Sequence, residues 1–143
     1  MSKVCIVTGA SRGLGRGIAK VLAEERSATV YATARSEAAL NDLASSIKGN
    51  TGVIHPVVLD QSDDSAVEKF ITTVAEKEGR IDLLVNSAYG GLTAMTPHFG
   101  KPFWERPISV FDASIDIGLR SAFVSSAIVA PHMVSQKSGL ILQ

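Results

Sequence analysis

Val4-Cys5-Ile6-Val7-Thr8-Gly9-Ala10-Ser11-Arg12-Gly13-Leu14-Gly15 decides the fold. A short apolar run enters a glycine-rich turn, and the turn opens an amphipathic stretch from Leu14 to Arg26. Strand, glycine turn and helix in that order place free backbone N–H groups and the positive end of a helix dipole at one point. Such a point favours an anion, above all a phosphate. A P-loop reading is disfavoured, because Gly15 is followed by Arg16-Gly17 and not by Lys-Ser/Thr.

The rest of the chain repeats the alternation. Apolar runs fall at Val4–Val7, Thr29–Thr33, Val53–Leu59, Ile81–Val85 and Leu140–Leu142. They are continuous and β-branched, as strands buried on both faces are. Helical spacings lie between them. Leu14, Ile18, Val21 and Leu22 share one face of the first helix, and Leu40, Leu43, Ala44 and Ile47 one face of the second, with Ser36 as its cap. Val67, Phe70, Ile71 and Val74 form the third, after the cap candidates Ser62-Asp63. A last helical region spans about Ser109 to Gln136, and Pro131 is expected to kink or shorten it. Five strands separated by helices predict an α/β fold, a doubly wound parallel sheet of the Rossmann type in the order 3-2-1-4-5. The irregular stretch from Tyr89 to Pro107 follows the fourth strand, at the sheet edge where such folds bind ligands.

Composition narrows the function classes. The chain has 143 residues, is 45% hydrophobic, and balances 14 basic against 14 acidic residues. Zero net charge argues against nucleic acid or an anionic membrane surface as main partner. No uninterrupted apolar run reaches the length of a membrane span. Met1-Ser2-Lys3 leads into the first strand without a signal-peptide profile. The single cysteine, Cys5, suits a reducing compartment, and a cytoplasmic location is expected. Its place in an apolar strand favours a buried core residue over a reactive thiol. His55, His98 and His132 show no metal-ligand spacing, and no metal site is expected.

The end of the second strand reads Thr33-Ala34-Arg35-Ser36. A site for NAD wants a carboxylate there for the ribose 2′-hydroxyl; arginine suits a 2′-phosphate. Arg35, with Arg12 in the glycine turn, therefore points to NADP(H). The alternative is that both are solvated surface charges. A methyltransferase-type nucleotide fold would want an acidic residue at the same place. Asp60, ending the third strand, is read equally as an acceptor for the adenine amino group or as part of a turn and cap cluster.

Together these residues resemble the short-chain dehydrogenase/reductase family. Thr8-Gly9-x-x-x-Gly13-x-Gly15 is similar to that family's dinucleotide fingerprint, and Asp60 to its adenine-binding aspartate. Asp82-Leu83-Leu84-Val85-Asn86-Ser87-Ala88 resembles its fourth strand and the Asn-Asn-Ala-Gly element after it. The resemblance implies that Asn86 steadies the central sheet and that Ala88 lies against the cofactor. The implied cofactor set is Thr8, Gly9, Ser11, Arg12, Gly13, Leu14, Gly15, Arg35, Asp60, Asn86 and Ala88. Asn86–Gly91, Phe103-Trp104-Glu105 and Gly118-Leu119-Arg120 look closest to the subgroup called dehydrogenase/reductase member 1. The family's catalytic set is Asn, Ser, Tyr and Lys. Gly118 stands at the Asn position, and no Tyr-x-x-x-Lys occurs in the 143 residues. No catalytic residue is therefore assigned. The resemblance implies hydride transfer between a nicotinamide and a small carbonyl or alcohol substrate, in a protein that forms homo-oligomers when complete. Residues 1–143 are read as its NADP-binding Rossmann domain, incomplete after the fifth strand. Two other readings remain: a nucleotide-binding module without chemistry, and a product that folds poorly and exposes the apolar helix with Leu119 and Phe123. Phe103 and Trp104 are read either as a substrate mouth or as packing of the loop onto the sheet edge. Tyr89 is read either as facing the nicotinamide or as a loop anchor. Ser27 replaces a family glycine at the end of the first helix, at a cost of about 1 kcal/mol if the left-handed cap is kept.

Overall fold

A computed structural model describes residues 2–48 and 52–143. Its sheet has five parallel strands in the order β3-β2-β1-β4-β5, as the alternation predicts. They are β1 (Val4–Thr8), β2 (Thr29–Ala34), β3 (Val53–Val58), β4 (Leu83–Val85) and β5 (Leu140–Leu142). The helices are α1 (Gly13–Arg26), α2 (Glu37–Ser45), α3 (Asp64–Glu78), α4 (Gly91–Met95), α5 (Ile108–Ser114) and α6 (Ser121–Ser135).

The two faces of the sheet carry separate cores. On one, Val7, Val30 and Ala32 pack with Ala19 and Ala23 of α1 and with Leu40 and Leu43 of α2. On the other, Ile6, Tyr31 and Leu84 pack with Val67, Ile71 and Val74 of α3 and with Val129 and Met133 of α6. Removal of this apolar surface from water on both faces is the main force holding the layers together.

Several local expectations are corrected. β3 is an edge strand, not a strand buried on both faces: Val53 and Val58 are exposed. Pro56 is tolerated there because an edge strand can lack a ladder donor. In α1 the buried residues are Gly15, Ala19 and Ala23, with Ile18 and Leu22 partly buried. Leu14 is 75% exposed, and Val21 is exposed as well. Small side chains let α1 approach the sheet, so the buried stripe does not follow the largest apolar residues.

The last helical region is interrupted at Ile115–Arg120, which is π-helical, and not at Pro131. α6 carries Pro131 in its interior and continues to Ser135. Counted together, Ile108–Ser135 form 28 helical residues, long and apolar enough by length and composition to cross a membrane. The apolar run in the sequence is broken at Asp112, Asp116 and Arg120, but these charges do not end the helix. α6 itself lies on the sheet, burying Ser121, Ser125, Val129 and Met133. α6 exposes Phe123 and Val134, and Phe111 of α5 and Leu119 of the π-helical turn are exposed as well. Residues 89–107 are not irregular throughout; they contain α4 and the 3-10 turns Thr96–His98 and Phe103–Glu105.

Candidate nucleotide site

The carboxyl ends of β1, β2, β3 and β4 meet at one edge of the sheet, where open α/β sheets place ligands. The glycine turn follows β1, Arg35 follows β2, Asp60 follows β3, and Asn86–Tyr89 follow β4. A cleft of about 690 Å³ opens between these ends, a size ordinary for a small-molecule or cofactor site.

The turn is held by contacts that tolerate nothing larger than glycine. Gly9 has φ +67°, and a Cβ there would come within 2.7 Å of Ala88 Cα. A Cβ on Gly15 would come within 2.6 Å of the Gly9 carbonyl oxygen. Gly13, at φ +57°, has nothing within 4 Å of such an atom. The turn is thus closed against β4 and open over the start of α1. That start has no side-chain cap and no acidic residue in its first turn. First-turn N–H groups have no partner within their own helix, so the cradle fits a phosphate; at Gly13 the left-handed backbone, not crowding, is what favours glycine.

Thr8 does not line the cleft. Its Oγ1 accepts from the N–H groups of Ser87 (3.0 Å) and Ala88 (3.1 Å), clamping the β4 loop to the end of β1. Asn86 also stands behind the wall. Its Nδ2 donates to Ser126 Oγ at 3.1 Å, and its backbone N–H donates to the Leu142 carbonyl at 2.9 Å. Asn86 therefore joins β4 to α6 and β5. Gly9, Ser11, Arg12, Gly13, Leu14, Gly15, Arg35, Asp60 and Ala88 all border the cleft.

Charge is unevenly placed along it. Arg35 is exposed and forms no ion pair among the described residues. Arg12 Nη2 donates to Thr93 Oγ1 at 3.1 Å, which brings its guanidinium across the turn. Arg16, by contrast, is held by Asp42 and the Ala39 carbonyl. Asp60 makes a turn at the rim of the cleft. Its Oδ1 accepts from Ser62 N–H at 2.9 Å and Ser62 Oγ at 2.7 Å, making the turn, while the residue still borders the cleft. The Ser62 backbone bond, then its hydroxyl bond, hold the carboxyl below the ordinary range, with Arg35 adding in the same direction. The N-cap of α3 is Asp63, whose carboxylate accepts from Ala66 N–H at 3.0 Å.

Gln61 was not singled out by its sequence context, yet it borders the cleft and is buried. Its Nε2 donates to Thr33 Oγ1 at 3.4 Å and its Oε1 accepts from Ser125 Oγ at 3.2 Å. The amide ties the β3 loop to β2 and α6. Those partners are distant in sequence, and only the position beside Asp60 hinted at the role. Phe103 and Trp104 do not pack the loop onto the sheet edge. They are 78% and 72% exposed, meet each other edge-on at 5.3 Å, and are not among the cleft residues.

Cys5 is buried, and that burial raises its thiol to about 11, so it stays protonated. Among the described residues no group of three or more His, Cys, Asp or Glu could hold a metal ion. A second cavity, about 410 Å³, is bordered by Cys5, Leu22, Asp82 and Leu140 at the other edge of the sheet.

Comparison with known proteins agrees with this geometry. The family model described as short chain dehydrogenase matches residues 3–143. Dehydrogenase/reductase SDR family member 1 of Mus musculus is 43% identical over 141 residues, 98% of this chain and 45% of that protein. The 3-oxoacyl-[acyl-carrier-protein] reductase FabG of Thermotoga maritima is 33% identical over 98% of this chain and 54% of its own length. Among solved structures, a metagenomic short-chain oxidoreductase in complex with NADP superposes with TM-score 0.80 at 32% identity, covering 97% of this chain and 60% of that one. An NAD+-bound xylitol dehydrogenase superposes with TM-score 0.82 at 28% identity, over 97% and 51%. The chain spans about half the length of the curated relatives it matches. By its glycine turn, its sheet order and the match along residues 3–143, the chain belongs to the short-chain dehydrogenase family of oxidoreductases.

Proposed function

We propose that this chain is the nucleotide-holding portion of an NADP-dependent oxidoreductase acting on a small carbonyl or alcohol substrate. The observation that carries the cofactor choice is Arg35. The solved relatives include one with NADP and one with NAD+, so the fold accommodates either, and discrimination falls to the end of β2. There the exposed guanidinium of Arg35, which makes no ion pair among the described residues, borders the cleft, and the strand end reads Ala34-Arg35 with no carboxylate at either position. A guanidinium favours a 2′-phosphate by charge and by paired hydrogen bonds.

Bound NADPH would supply the hydride, the chemistry that belongs to the cofactor. The chain's own residues bind and orient. The first turn of α1 takes the pyrophosphate, Arg35 the 2′-phosphate with Arg12, once it leaves Thr93, as a second positive charge, and Asp60 accepts from the adenine amino group. Thr8 and Asn86 keep the β4 loop in register behind Ala88. The 143 residues contain no Tyr-x-x-x-Lys, so this stretch is expected to bind nucleotide without turnover of carbonyl substrates. We place it in the cytoplasm and expect the complete protein to be a homo-oligomer.

Titration with NADPH and NADH tests the reading. Wild type is expected to prefer NADPH, and Arg35→Asp to lose about 10- to 100-fold in NADPH affinity, the worth of a charge-assisted contact. Equal affinities for the two nucleotides, unchanged by the substitution, would overturn the 2′-phosphate assignment.

A further inference from the structure

The cleft has a direction. Because the strands run in the order 3-2-1-4, a 2′-phosphate at Arg35 after β2 and a pyrophosphate at the glycine turn after β1 leave the other half of the dinucleotide on the β4 side. Tyr89 stands there, 48% exposed and bordering the cleft.

Its ring is lodged between two glycines. A Cβ on Gly91 would lie 2.3 Å from the phenol oxygen, and a Cβ on Gly118 would lie 3.1 Å from ring Cδ2. The oxygen, Oη, lies 3.2 Å from Ser114 Oγ. Ser114 Oγ in turn donates to the Val110 carbonyl at 2.8 Å. A serine hydroxyl carries one hydrogen and a carbonyl none. Ser114 uses its hydrogen on Val110, so Tyr89 is the donor in the tyrosine–serine pair. The direction of the chain is fixed, from Tyr89 to Ser114 to Val110. With its hydrogen committed, Oη keeps only acceptor capacity for a ligand.

We infer that Tyr89 is a cofactor-binding residue whose Oη accepts a hydrogen bond from an N–H or O–H donor on the nicotinamide-riboside half of the dinucleotide. Two groups share that chemistry: the carboxamide amine and a ribose hydroxyl. The inference rests on the dinucleotide reading of the cleft.

The test is Tyr89→Phe in the full chain, a change that keeps the ring in its slot. NADP+ affinity is expected to fall about five- to tenfold, as for one hydrogen bond. Adenosine 2′,5′-bisphosphate, which lacks the nicotinamide half, is expected to bind wild type and variant equally. The nicotinate analogue of NADP+, which has no amide N–H, separates the two sources. If the variant costs it nothing, the donor is the carboxamide; if it costs the same as with NADP+, the donor is the ribose. Unchanged NADP+ affinity overturns the inference, as does an equal loss for both NADP+ and the bisphosphate, which would mark a general distortion of the cleft. If wild type binds neither nucleotide, the dinucleotide reading itself fails, and the inference with it.

Discussion

Ser27 and Gly79 end α1 and α3 in the same way, at φ 53° and φ 71°. Only the glycine meets no steric objection to the left-handed region. At Ser27 the chain must still turn, because Ala28 N–H closes on the Leu22 carbonyl at 3.1 Å and Thr29 enters β2 directly after it. Ser27→Gly is therefore expected to stabilise the protein by about 0.5–1 kcal/mol, the strain relieved less the extra freedom given to the unfolded chain. Chemical denaturation measures it, and an unchanged or lower midpoint would refute the strain argument. Gly79→Ser should cost a similar amount in the other direction.

Among the helices, the caps were legible because they are local. α2 begins at Ser36, whose hydroxyl meets Ala39 N–H at 3.4 Å; α3 begins at Asp63, whose carboxylate meets Ala66 N–H at 3.0 Å. The shorter, charged contact is the stronger cap. Asp63→Ala is expected to cost about 1 kcal/mol and Ser36→Ala less, by urea denaturation. Equal losses would contradict the geometry. What sequence did not disclose at this scale has physical causes. Hydrophobic periodicity marks large side chains, whereas close contact of α1 with the sheet selects Gly15, Ala19 and Ala23. The π turn at Ile115–Arg120 shifts the hydrogen-bond pattern without any proline or glycine cluster to announce it. Arg35, Asp60 and the glycine turn could be picked out because strand ends and spacing mark them. The links from Gln61 to Ser125 and from Tyr89 to Ser114 join residues far apart in the chain, and only the fold brings them together.

At the scale of the whole molecule, Asp82 ties the start of β4 to both of its neighbours in the sheet, β1 and β5. Its carboxylate accepts from Lys3 Nζ at 2.9 Å, Val4 N–H at 2.9 Å and Arg80 Nε at 2.8 Å, with a further close contact from Arg80 Nη2. Its backbone bonds Val4 on β1 and Leu140 on β5. Burial alone would raise this carboxyl, but the Arg80 guanidinium, the Val4 N–H and the Lys3 ammonium outweigh it and hold the group at about 2, against an ordinary 3.8. The depressed value means that the unfolded chain binds the proton more readily between those limits. The stabilisation is then complete above about pH 4 and is lost as pH falls through about 2. The difference corresponds to about 2 kcal/mol. Asp60 and Asp64 are shifted in the same direction, but Asp60 is exposed and the Asp64 side chain is 46% accessible, so solvent screening discounts both. Urea denaturation between pH 7 and pH 2 should show wild-type stability dropping in that acid window. Asp82→Asn should be less stable at pH 7 and flatter below pH 4, the two curves converging near pH 2. Curves that stay parallel throughout would mean that Asp82 does not carry the acid sensitivity of the fold.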